Sequence, residues 1–128
     1  MTHAILSLQA MLVAALRGAG LTVFDTPPQG QAPPYVVIAR HDALPRDGDD
    51  APGLEHRLLL QAWTTEASRK SAVALAETVV STALAANLSG AALLVTLRRH
   101  DRTDTAIDPA TGRARAAIAL TFFSEPND

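Results

Sequence analysis

Two strand-type segments flank a five-residue turn signal, and this pairing constrains the fold more than any other feature of the chain. Residues 93–102 carry Leu93, Val95 and Leu97 at every second position. Residues 113–123 alternate Ile118, Leu120 and Phe122 against Ala117, Ala119 and Thr121. Alternation of period two is the mark of a strand with one buried face. Between them, Asp108-Pro109-Ala110-Thr111-Gly112 supplies a fixed φ at proline and a position open to φ > 0 at glycine. The two segments therefore form a long antiparallel hairpin.

The rest of the chain supplies what that hairpin packs against. Residues 3–17 read as a helix, with Ile5, Leu8, Leu12 and Leu16 on one stripe, Thr2 as a candidate cap and Gly18 or Gly20 as the stop. Leu21 to Phe24 is a short strand, followed by a loop rich in proline and glycine over 25–34. Tyr35 to Arg40 reads as a strand covered on both faces, since its apolar run does not alternate. A second loop spans 43–53. Leu54 to Thr64 is a long strand, with Leu58, Leu60 and Ala62 on one face and Glu55, Arg57, Leu59, Gln61 and Trp63 on the other. Trp63 is either core on that second face or an interface anchor, and the general burial of tryptophan favours core. Ser68 caps a second, alanine-rich helix running to about Leu88, where Asn87 and Gly90 end it; Ala72, Leu75, Val79 and Ala83 form its repeating face. The expected fold is a single α+β domain over residues 1–128: a mainly antiparallel sheet of about five strands with two helices packed on one face.

The inventory of reactive groups is sparse. There is no cysteine, which excludes thiol catalysis, thiolate metal sites and disulfides. The formal net charge of −2 gives no global basic field for nucleic acid. The histidines, His3, His41, His56 and His100, show no metal-binding spacing, and the neighbours His41-Asp42 and His100-Asp101 point to opposite faces on a strand. Asp47-Gly48-Asp49-Asp50 opens like a calcium loop, but Leu58 stands where the twelfth-position Glu belongs. Ser68-Arg69-Lys70-Ser71 could meet an anion at a helix start, and N-capping explains it more simply. No phosphate-binding or nucleophile-elbow motif occurs. No catalytic, cofactor or metal site is expected. The candidate interface residues are the acidic loop residues Asp47, Asp49 and Asp50, and Arg98, Arg99, Arg102, Arg113 and Arg115, which could gather into one basic patch on the hairpin. The first 20 residues lack the flanks of a secretory signal, and no run approaches the roughly 20 apolar residues of a membrane span. The chain is expected to be cytoplasmic when made, with no membrane partner.

One further pattern runs along the chain. Val23-Phe24-Asp25 precedes the proline-rich loop, Pro34-Tyr35-Val36-Val37-Ile38 opens the next strand, an acidic glycine-containing loop follows, and Leu58-Leu59-Leu60-Gln61-Ala62-Trp63-Thr64 leads into a helix rich in Arg, Ser and Ala. In this order the sequence resembles the tail-terminator, or tail-completion, family of long-tailed phages and phage-like gene transfer agents. The resemblance implies a non-enzymatic, ring-forming α+β protein, typically a hexamer of itself, set on the head-proximal end of the tail tube. There it would stop tube polymerisation and meet both the tail tube protein and the head–tail connector or stopper, while DNA passes through the channel without specific binding. The alternatives are another neck or tail-tube component of related fold, and a small α+β enzyme or ligand-binding domain, which would need a concave pocket with convergent polar groups.

Overall fold

The computed structural model describes residues 4–26, 28–46, 53–65, 67–90 and 93–126. The element order is α1 (Ala4–Gly18), β1 (Val23–Phe24), β2 (Tyr35–Pro45), β3 (Leu54–Trp63), α2 (Arg69–Ala85), β4 (Leu93–Ile107) and β5 (Ala114–Pro126). The strands form one five-stranded sheet in the order β1-β2-β3-β5-β4. Among the described residues the β1–β2 pair is parallel and the other neighbours are antiparallel. Both helices lie on the same face of this sheet, so the α+β class and the one-sided placement of the helices match the sequence expectation.

Local chemistry explains the element ends. Gly20, at φ 90°, takes the left-handed position after α1. Its N–H donates to the Arg17 carbonyl and that of Leu21 to the Leu16 carbonyl, closing the helix with a Schellman pair. Ser68 caps α2, its hydroxyl accepting from the Ser71 N–H. That helix ends at Ala85, earlier than the sequence suggests, because the Asn87 side chain accepts from the Ser89 N–H and turns the backbone away. Leu88 then drops fully buried into the core. In the β4–β5 turn, the Asp108 carboxylate accepts from the Ala110 N–H and the Thr111 hydroxyl, and Gly112 holds φ 73°. Gly112 thus takes the positive φ that the sequence assigns to it.

The core lies between the helices and the inner face of the sheet. Leu8, Leu12 and Leu16 of α1 and Ala72, Ala76, Val79 and Ala83 of α2 pack on Val36, Ile38, Leu58, Leu60, Ala62, Ile118, Leu120 and Phe122. The alanines let the α2 backbone approach the sheet closely, and Ala76 rather than Leu75 occupies the centre of its buried stripe.

Three expectations need correction. β2 continues to Pro45 and β4 to Ile107. The residues that read as loop or strand end, Arg40 to Ala43 and Thr103 to Thr105, become strand because they are paired to His56–Leu59 and Ala116–Ile118. Leu93, Val95 and Leu97 do not share a face: the register shifts between Val95 and Leu97, so Leu97 pairs with outward Phe123 and is 39% exposed. Trp63 is half-buried on the outer face opposite the helices, with the Arg115 guanidinium 5.9 Å from its ring, and is not core.

Candidate functional site

Two features stand out once the helix-packed core is set aside: the outer face of the sheet with its edges, and a polar seam inside the core. No helix covers the outer face among the described residues. Its side chains fall in rows that follow from the register. One row reads Leu44, Glu55, Phe123, Leu97; the next Asp42, Arg57, Thr121, Arg99; then Arg40, Leu59, Ala119, Arg102; then Val37, Gln61, Ala117, Asp104; and last Tyr35, Trp63, Arg115, Ala106.

The charges on this face are paired within strands. Arg40 meets Asp42 at 2.7 Å, Arg57 meets Glu55 at 2.6 Å, Arg99 meets Asp101 at 2.6 Å and Arg102 meets Asp104 at 2.9 Å. Positions i and i+2 on a strand share a face, which brings each pair together without help from another element. Arg46 lies over the Phe123 ring, 3.9 Å from its centroid. Around Asp101, partial burial pushes the carboxyl upward, but hydrogen bonds from Thr121 and Arg99 and the charges of Arg99 and His100 outweigh it and hold the carboxyl below its usual range. The hydrogen bond to Asp101, followed by its charge, raises the Arg99 guanidinium.

This distribution divides the arginines that the sequence groups on the hairpin. Arg98 faces inward and donates to the Ala83 carbonyl near the C-terminal end of α2, where a cation complements the helix dipole. Arg99 and Arg102 face outward in ion pairs, Arg115 lies along Trp63, and Arg113 sits half-buried at the base of the turn. Arg98 and Arg99, adjacent on the strand, take opposite faces, and the register shift between His100 and Arg102 returns Arg102 to the outer face with Arg99. Asp47, Asp49 and Asp50 lie outside the described residues.

The polar seam is a chain of hydrogen bonds that residue-by-residue reading missed. The Gln9 side-chain nitrogen lies 3.2 Å from His41 Nδ1, His41 Nε2 lies 2.8 Å from His56 Nδ1, and His56 Nε2 lies 2.8 Å from Ser124 Oγ. With the Gln9 nitrogen donating and both rings neutral, the ring protons sit on Nε2 of His41 and of His56 and every bond points from α1 toward β5. The seam joins α1, β2, β3 and β5. A Ser–His arrangement suggests nucleophilic chemistry, but Ser124 is 1% and His56 0% exposed. A substrate carbonyl cannot reach the hydroxyl, so the seam reads as a satisfied structural network. The signal for it lay in the hairpin register: His41 opposes Leu58 and His56 opposes Ala43, which makes the two histidines diagonal neighbours on one face.

A groove of about 750 Å³ lies between α2 and β4, lined mainly by Val73, Ala76, Val80 and Leu84 with Glu77 and His100. His100 is hydrogen-bonded to Thr103 at 2.7 Å. Among the described residues no three metal-ligating side chains converge, and no helix is long and apolar enough to cross a membrane.

The sheet is covered by helices on one face and carries ion pairs on the other, a small α+β fold. The sequence matches the family model for the tail completion protein gp17 over residues 4–122, and the chain belongs to that family of structural phage tail proteins. Its role is accordingly structural, within a virion tail. Among solved structures, a chain described as "Virion of native gene transfer agent (GTA) particle" shares the fold with a TM-score of 0.79 at 20% identity, covering 97% of this chain and 99% of that one. No curated protein matches the sequence.

Proposed function

We propose that the chain caps the head-proximal end of the tail tube as a ring of identical copies, stops tube polymerisation and joins the tail to the head connector. The observation that carries this reading is the family match across residues 4–122. The fold is compatible with it. A ring needs heterologous contacts, in which one patch meets a different patch on the next copy. The sheet has two dissimilar edges, β4 on one side and the part of β2 beyond β1 on the other. Termination is then geometric: one end of the ring matches the tube and the other does not, so no further tube subunit adds.

The charge pattern suits a channel that DNA crosses without adhering. The net charge is −2, and the outer-face arginines of β2, β3 and β4 stand in ion pairs with acidic neighbours. Little unbalanced positive charge remains on that face to displace counterions from phosphate. Asp47, Asp49 and Asp50 are proposed to face a partner or the lumen.

The test is to mix the purified chain with tail tube subunit and image the product. A terminator gives rings on tube ends and shortens the tube distribution. Elongation by incorporation would instead identify a tube component. A chain that forms no ring, alone or on tubes, and leaves tube length unchanged defeats the proposal.

A further inference from the structure

The two open edges of the sheet carry the same charge motif in the same setting. β1 is short and pairs only with Val36 and Val37, so β2 has no strand partner on that side beyond Val37 among the described residues. β4 forms the opposite edge and, among the described residues, pairs only with β5. The regular stretch of β2 after its irregularity begins at Arg40, and that of β4 begins at Arg102. The first reads Arg40-His41-Asp42-Ala43-Leu44-Pro45 and the second Arg102-Thr103-Asp104-Thr105-Ala106-Ile107. In both, the Arg and Asp side chains lie on the outer face, ion-paired to each other and well exposed: 71% and 44% for Arg40 and Asp42, 72% and 57% for Arg102 and Asp104.

Strand direction decides how these edges can meet. From β2 through β3 and β5 to β4 every neighbour is antiparallel, so β4 runs opposite to β2. A second copy brought alongside by rotation about an axis parallel to the strands keeps the direction of its β2. Its β2 therefore meets β4 of the first copy antiparallel, with outer faces continuous. Antiparallel alignment reverses one motif against the other and sets Arg40 opposite Asp104 and Asp42 opposite Arg102. Sliding by two residues one way opposes Arg40 to Arg102; sliding the other way opposes Asp42 to Asp104. Sliding by one residue places the charges on opposite faces. Among the registers that oppose these two motifs, this one combines continuous faces with opposite charges, and directly opposed like charges disfavour the registers two residues away.

We propose that β4 of one copy adds to β2 of the next as an antiparallel pair, with Arg40 opposite Asp104 and Asp42 opposite Arg102, and that this is the contact between copies in the ring. The inference rests on the ring reading and specifies its interface. Backbone hydrogen bonds between edges supply the attraction. The two Arg-x-Asp motifs supply register and exclude misaligned neighbours, as electrostatic complementarity does at other interfaces. In the free chain the pairs neutralise one another within each strand, which protects the exposed edges from indiscriminate pairing.

Charge inversion tests this while preserving each strand's own ion pair. One variant carries Arg40→Asp with Asp42→Arg; a second carries Arg102→Asp with Asp104→Arg; a third combines all four. Ring formation is followed by native mass spectrometry and sedimentation at physiological salt, with and without tail tubes, and thermal unfolding of each monomer checks the fold. Either inversion alone should raise the concentration needed for ring formation by about tenfold or more. The combined variant should return it close to wild type. Wild-type rings together with unaffected single inversions, or with no rescue in the combination, overturn the edge pairing and leave the ring reading standing. Absence of wild-type rings in solution and on tubes overturns both.

Discussion

The two faces of the four long strands are built from the same backbone but on different physical terms. The inner face buries Leu58, Leu60, Ile118, Leu120 and Phe122 under two helices, all at 2% exposure or less. The outer face, on the same strands and one residue out of phase, carries ion pairs, Leu59, Gln61, Ala117, Ala119 and Phe123, all only partly buried or exposed. Inner positions tie the fold together through apolar burial and close packing, which is sensitive to each methylene. Outer positions hold charge pairs that exposed sites reward weakly. The chain thus separates the residues that hold it folded from those available to a neighbour.

The contrast is broken most severely at Phe122. Phe122→Ala removes a fully buried ring from the inner face. It should lower unfolding free energy by about 3–5 kcal/mol, read from denaturant titration. A loss below about 1 kcal/mol would mean that the inner face tolerates cavities and that the distinction between faces is weaker than burial implies.

The inner face is not uniform, and the next prediction sharpens where it changes character. At one end it is apolar; at the other the Gln9–His41–His56–Ser124 seam replaces hydrocarbon. His56→Ala leaves the buried Ser124 hydroxyl without its ring partner and opens space beside Phe122's row, since His56 opposes Phe122. About 2 kcal/mol of stability should be lost, smaller than at Phe122 because His41 is only partly buried and can turn to water. Hydrogen exchange would show the loss concentrated where β2, β3 and β5 meet the seam, if the seam is structural.

What the sequence showed and what it hid follow the same division. Alternation in Leu58-Leu60-Ala62 and Ile118-Leu120-Phe122 marked the inner face directly, because apolar burial writes itself into periodicity. The α2 cap at Ser68 and the Asp108–Gly112 turn were legible because their chemistry is local. The ends of β2 and β4 were not. Residues such as Asp42 and Asp104 are disfavoured in strands and are extended only because a neighbouring strand pairs with them. The shift past Thr96 that turns Leu97 outward leaves no periodic trace either. The seam escaped for a related reason: His41 and His56 meet only after the register of β2 on β3 is fixed. The candidate interface suffered most, since the faces taken by Arg98, Arg99 and Arg102 depend on those shifts.

On the outer face the sharpest electrostatic test is Asp101. Its carboxyl is held below the ordinary range by Thr121 and Arg99 despite partial burial. A carboxyl whose folded value is depressed contributes stability above its unfolded value, near 3.9, and that contribution is lost as pH falls through the folded value. Wild type should therefore lose a small increment of stability on acidification below about pH 4 that Asp101→Asn lacks. Parallel thermal unfolding of the two proteins across that range measures it. Superimposable pH profiles would show that solvent screens this pair completely.

The smallest expected effect tests the outer face where it is apolar. Leu97 is 39% exposed and lies beside Phe123 on the edge strand. In Leu97→Lys the lysine stem can cover the same hydrocarbon while its ammonium reaches water. Unfolding free energy of the monomer should change by no more than about 0.5 kcal/mol, as at other surface positions. A larger loss would mean that this face already behaves as core, collapsing the distinction between the two faces. A neutral result in unfolding, joined to weaker capping of tubes, would instead assign Leu97 to assembly. The same substitution read by two assays thus separates what the outer face does for the folded chain from what it does for its neighbours.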